Sequence, residues 1–192
     1  MTYAVLKADI ASWLHRTDLT TEIVTFVALA ESDIRNDVRV RAMETVATGS
    51  VSAGSITMPT DLIETRRLVI DEYPYEYVDP AAFSELDRIN SEKHVYTVTG
   101  SSIKVLTGSS YALTYWAAFD SFSADADTNW LLENAYDVYL WASIKQAAIW
   151  AQDDQSMMKY DALYRGAVTK INNREAKAMR GGTLTIRPSS WA

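Results

Sequence analysis

The spacing of apolar residues changes twice along this chain. A segment can satisfy only one spacing at a time: 3.6 residues for a helix face, two for a strand face. Helical spacing runs from Leu6 to Ile34, alternation sets in at Met43, and helical spacing returns from about Asp127. That order predicts an α+β fold. Four helices, two N-terminal and two C-terminal, would form the core, with a small antiparallel β-sheet section inserted between the pairs and an extended C-terminal tail. The expected boundaries are 1–42 and 127–180 for the helical core, 43–126 for the β-rich insert with one short helix, and 181–192 for the tail.

Within the first block, Leu6, Ile10, Trp13 and Leu14 share a face behind Thr2 as a cap. Ile23, Phe26, Val27, Ala30 and Ile34 then repeat the i, i+3, i+4, i+7, i+11 pattern. A turn between His15 and Leu19 would make these two helices a hairpin. In the middle block Met43–Thr48 alternates, Val51–Ser55 reads as a turn, and Ile56 with Met58 and then Arg67–Ile70 read as further short strands. Asp79 before Pro80 is a helix start, with an oxygen acceptor at the cap and a residue lacking N–H at the first turn. Val95–Thr99 and Ser102–Leu106 flank Gly100-Ser101, the pattern of a two-residue hairpin, and Tyr111–Trp116 alternates as the third strand of a meander.

The last third carries two apolar stripes on one helix, Leu132, Tyr136, Tyr139, Leu140, Ser143 and Ala147 beside Leu131, Ala135, Val138, Ala142 and Ile149. A helix apolar on more than one side belongs at the centre of the core. A final helix from about Gln155 to Met179 presents Tyr160, Leu163, Tyr164, Ala167 and Ile171, and Gly181-Gly182 stops it. The tail from Thr183 alternates up to Pro188, without a local partner. Leu184, Ile186, Arg187 and Trp191 are the candidate partner-binding residues, anchors for strand addition or for a groove on another protein.

The 192 residues, 48% hydrophobic and 22% charged, suit a compact domain that buries about 70% of its extended surface. With no cysteine, the chain has no disulfide, thiolate-metal or cysteine-nucleophile chemistry. Eighteen Lys and Arg against 25 Asp and Glu give a net charge of -7, which disfavours wrapping nucleic-acid phosphates. Apolar runs are only a few residues, against the roughly 20 that a bilayer-spanning helix needs, so no membrane partner is expected. Lys7 and Asp9 interrupt the N-terminal apolar stretch, which reads as a mature cytoplasmic product with no leader to remove.

Signatures of chemistry are sparse. The sequence holds no GxGxxG, phosphate loop, HExxH, GxSxG or EF-hand pattern, so no catalytic, cofactor-binding or metal-binding residue is nominated and no cofactor is expected. His15 and His94 read as turn and strand-edge residues rather than ligands. Asp125, Asp127, Asp153 and Asp154 could supply the carboxylate pair of a glycoside hydrolase. The plainer account has Asp127 capping a helix from about Trp130 and Asp153-Asp154 opening the last helix. Arg35, Arg39 and Arg41 could contact phosphates, or form a salt-bridged helix end. Most of the six Trp and eleven Tyr fall on core stripes or strand faces, with some left for subunit interfaces.

Three stretches carry a resemblance: Tyr3–Leu19 running into Phe26–Glu31 and Ile34–Arg41; Met58–Glu64 with Glu76–Pro80; and Leu113–Trp116, Thr128–Leu132, Tyr136–Leu140 and Ala162–Tyr164. In this order they resemble the head-to-tail adaptor proteins of tailed bacteriophages, the ring-forming connectors beneath the portal. The resemblance implies a non-enzymatic structural subunit of the virion neck, made in the host cytoplasm. It further implies a homo-oligomeric ring, a dodecamer, that docks on the portal protein above and a tail or nozzle protein below. DNA would pass through its lumen without sequence-specific binding. The rival from another class is a small phage hydrolase or carbohydrate-binding module built on exposed aromatics and a carboxylate pair. A free-standing interaction protein would instead be a monomer with a folded-back tail.

Overall fold

A computed structural model describes residues 1–89 and 91–179. The chain divides into two compact units, a helical one formed by Met1–Arg41 with the chain from Ser121 onward, and a β unit formed by Ala42–Asp120.

In the helical unit, α1 (Tyr3–Leu14), α2 (Thr20–Asp37), α4 (Trp130–Asn134) and α6 (Asp154–Met179) all pack against α5 (Tyr136–Trp150). α5 can serve four neighbours because it is apolar on several sides and carries small residues where they approach. Val138, Ala142, Ile144 and Ala147 are all buried. On α2 the stripe of Ile23, Phe26, Val27, Ala30 and Ile34 is buried throughout. α1 buries Tyr3, Leu6 and Ile10, but Trp13 stays 49% exposed. Both α1 and α5 end on a left-handed residue that is not glycine, His15 at φ 51° and Gln152 at φ 57°. The next amide in each case turns back onto the helix, Arg16 N–H to Ala11 and Asp153 N–H to Ala148.

The β unit holds β1 (Glu44–Ser50), β2 (Ser55–Thr57), β3 (Leu62–Ile70), β4 (Tyr73–Tyr77), β5 (Val95–Thr99), β6 (Ser102–Val105) and β7 (Ser110–Ala117), with α3 (Pro80–Arg88) between β4 and β5. They form one sheet in the order β1-β7-β3-β4-β5-β6-β2. Its two end strands are consecutive in the chain, and the turn between them carries a Ser52–Ser55 bridge, so the sheet curls into a nearly closed barrel. Leu68, Ile70, Ile103, Leu113 and Tyr115 fill its interior.

These observations correct the expected four-helix core with a small antiparallel insert. Among the described residues there are six α-helices, and the seven strands make a mixed sheet too large to be an appendage. The expected helix from about Trp130 breaks at Ala135 (φ -149°, ψ 59°), which separates α4 from α5. β4 pairs β5 in parallel, Glu76 beside Val95 and Tyr77 beside Tyr96, because the intervening helix α3 is a crossover that returns the chain in the same direction. The meander is also corrected: β7 lies between β1 and β3, not beside β6. The turn chemistry at 106–110 redirects it. Gly108 adopts φ 123° at a place where a Cβ would lie 2.2 Å from Ile70 Cγ2. The Asp71 carboxylate then holds the next two residues, accepting from the amides of Ser109 (2.8 Å) and Ser110 (2.9 Å). Asp79 caps α3 as expected, accepting from the Ala81 and Ala82 amides, and Gly100 stands at φ 60° in the β5–β6 turn.

Candidate functional site

Three surfaces stand out, two on the helical unit and one on the barrel. The first is a charged cleft of about 430 Å³ between α2, α5 and α6. Lys145, only 12% exposed, reaches Asp33 at 2.6 Å and Asp161 at 3.8 Å. Gln146 also donates to Asp33 (2.8 Å), Arg165 to Asp161 (2.7 Å), and the Tyr164 hydroxyl to Asp37 (2.9 Å). Burial, and then that hydrogen bond to a carboxylate, push the Tyr164 hydroxyl far above the usual tyrosine range, so it remains a donor. Each aspartate in the cleft is matched by a cation or hydroxyl. The cluster therefore ties three helices together and leaves no unpaired carboxylate for acid–base work. Of these residues the sequence points to Tyr164 alone, as part of an apolar helix face, although Asp33–Asp37 and Asp161–Arg165 are i, i+4 pairs on their helices.

The second surface is apolar. Trp13 meets Trp141 edge to face at 5.0 Å, and Trp141 stacks on Tyr160 at 6.0 Å. Trp150 and Ile149, each 51% exposed, and Met158, 69% exposed, lie on the last turns of α5 and the first turns of α6. Half-exposed tryptophans such as Trp13 and Trp150 are a feature of protein–protein contact surfaces. Trp13 and Ile149 had been assigned to core stripes. Periodicity places a residue on a face and does not say whether that face is covered.

The third surface is the edge of the barrel at β1, which among the described residues pairs with β7 alone and has six of its seven residues exposed. Elsewhere on the barrel His94 lies between the rings of Tyr73 (4.8 Å) and Tyr75 (5.1 Å), with Tyr73 58% exposed.

Most of the other nominated residues are engaged by groups within the helical unit. Asp125 binds Lys7 at 2.6 Å. Asp127 does not cap a helix from Trp130; Asn129 does, accepting from the Leu132 amide. Asp127 instead accepts from the amides of Ala124 and Ser123, which hold its carboxyl below the usual range. Asp153 caps α6 through the Ser156 amide (3.0 Å), with Asp154 as the first residue of the helix. Asp125, Asp127 and Asp153 bind different partners, and these carboxylates are not brought together as a catalytic pair. Arg39 donates to the carbonyls of Arg35 and Val38 at the end of α2, while Arg41 pairs with Glu175 at 3.1 Å. Burial works to raise the Glu175 pKa, but the bond to Arg41 and the charges of Arg41 and Arg174 outweigh it and hold the carboxyl below its usual value. His15 ends α1. Leu184, Ile186, Arg187 and Trp191, with the Gly181-Gly182 helix stop, lie outside the described residues.

Exposed tryptophans, an open strand edge and carboxylates engaged in structural bonds describe a protein that works by contact, the class of adaptors and connectors. The family model of the SU10 adaptor protein matches residues 1–187, and the chain belongs to that family of phage head-to-tail adaptors. Membership makes it a bacteriophage structural adaptor, a component of the virion neck that interacts with portal and tail proteins. No curated protein matches the chain.

Proposed function

We propose that the protein assembles as a homo-oligomeric ring, a dodecamer, beneath the portal, where it joins the capsid to the tail and acts without catalysis. The family match over residues 1–187 carries this reading. DNA passes through the lumen during ejection without sequence-specific contact, and a subunit charge of -7 suits such a conduit because like charge keeps the phosphates moving. The subunit is made in the host cytoplasm before joining the virion. Its functional divisions are the helical core of 1–42 and 127–180, the β-rich section of 43–126 and the tail of 181–192. Leu184, Ile186, Arg187 and Trp191 anchor that tail on the portal or on a neighbouring subunit. The hydrolase reading keeps no support from Asp125, Asp127 and Asp153, which are engaged by Lys7, by the Ser123 and Ala124 amides and by the Ser156 amide, or from Asp154, the first residue of α6.

The test is the mass of the purified protein in solution, alone and mixed with portal particles. A ring, or recruitment to portal, is expected. A monomer that ignores portal overturns the proposal.

A further inference from the structure

A long exposed edge strand is a template for pairing with another chain, and folded proteins blunt such edges with charges, prolines, bulges or brevity. β1 has almost none of these. Its register with β7 runs unbroken from Glu44–Trp116 to Ser50–Ser110, it contains no proline, and Glu44 is its only charged residue. Val46, on the outer face, is 59% exposed. The opposite end of the sheet is different, because β2 spans only Ser55–Thr57. Among the described residues the two ends touch at the Ser52–Ser55 bridge and pair no further, which leaves the β1 edge of the barrel without a second partner strand there. The barrel face of β1 carries small residues, and the Tyr111 ring packs where a Cβ of Gly49 would lie, 3.0 Å away. Thr45, Ala47 and Gly49 stand opposite Tyr115, Leu113 and Tyr111, so the residues that β1 turns inward are small.

One segment of this chain has the complementary pattern. Residues 180–192 lie outside the described structure, and within them Thr183-Leu184-Thr185-Ile186-Arg187 alternates aliphatic with polar before Pro188. Added beside β1, such a strand would turn Leu184 and Ile186 to the face that carries Thr45, Ala47 and Gly49, and Thr183, Thr185 and Arg187 toward solvent. Pro188, without an N–H, would end the ladder.

We propose that the β1 edge is the acceptor for the tail strand, residues 183–187, of a second copy of this chain. The inference rests on the ring reading above and deepens it. Donor and acceptor are different surfaces of one subunit, and such a head-to-tail contact, repeated with rotation, closes a ring; pairing β1 with β1 would stop at a dimer.

The absence of cysteine allows a direct test. Thr48→Cys is combined in turn with Thr183→Cys, Thr185→Cys and Arg187→Cys in the full chain, and a short bismaleimide joins thiols that come close. The expected result is a ladder of covalent oligomers on a denaturing gel, absent from each single-cysteine variant and lost when Leu184→Asp and Ile186→Asp are added. A cross-link confined to one chain, or none, overturns the proposal. Truncation at residue 183 gives a second reading, by light scattering with circular dichroism to check folding. Folded monomers replacing rings support strand donation. Rings that survive truncation overturn it while the ring reading stands. A full-length chain that is monomeric with and without portal overturns both.

Discussion

Asp71 shows how much one side chain can organise. It and Glu72 form the β3–β4 turn with φ of 46° and 74°, a conformation that disfavours side chains, and Asp is among the residues that tolerate it best. Its carboxylate also accepts from the amides and hydroxyls of Ser109 and Ser110, which together lower its pKa to about 2. A carboxyl held below its unfolded value stabilises the fold above the unfolded pKa, about 3.9, and loses that contribution as pH falls through about 2. Asp71→Asn should therefore lower the urea midpoint at pH 7, with the difference from the parent shrinking between pH 4 and pH 2. Equal midpoints at pH 7 would show that the carboxylate charge is not used. Gly108 is the second such position, since a Cβ there would overlap the Ile70 side chain and φ 123° is open mainly to glycine. Gly108→Ala should cost about 2–4 kcal/mol in equilibrium unfolding.

Among the elements, α5 has the most neighbours, and Lys145 shows how a polar residue works in that position. Its ammonium links Asp33 of α2 to Asp161 of α6 across the helix that both pack against. Lys145→Ala removes the cation and leaves two carboxylates facing Tyr164 and each other. Because the cleft is open on one side, the expected loss is about 1–3 kcal/mol, below that of a fully buried pair. Lys145→Met, which keeps the stem, should recover part of it. Equal unfolding midpoints for the two variants would mean that packing by the stem contributes nothing. β4 illustrates a different dependence. Pro74 works against β4 as a strand although its tyrosines favour one, yet β3 pairs with it at Tyr73–Tyr75 and β5 at Glu76–Tyr77. Pro74 is tolerated where β4 has one partner rather than two.

At the scale of the molecule, the tail and the two units make separate predictions. Removing residues 183–192 should leave the unfolding midpoint of the subunit unchanged while weakening its binding to portal particles, since the apolar helix stripes all precede residue 183 in the sequence. A truncated subunit that unfolds would put the tail in the core. What could be read directly from the residues was local. The α2 stripe, the Asp79-Pro80 helix start and the turn at Gly100-Ser101 depend on neighbours a few positions away, so periodicity and cap chemistry identify them. Family membership was legible as well, because it rests on the order of many short stretches rather than on any one contact. The tertiary structure decided what depends on distant pairing: β7 between β1 and β3, the parallel β4–β5 step, the charged first half of β3 and the barrel that these close. It also decided which faces stay uncovered. Trp13 and Ile149 carry the same periodic signal as buried residues, and β1 the same alternation as a central strand. Spacing gives a side chain its direction, but exposure is set by whatever else packs there, and in this protein that is determined by segments up to a hundred or so residues away.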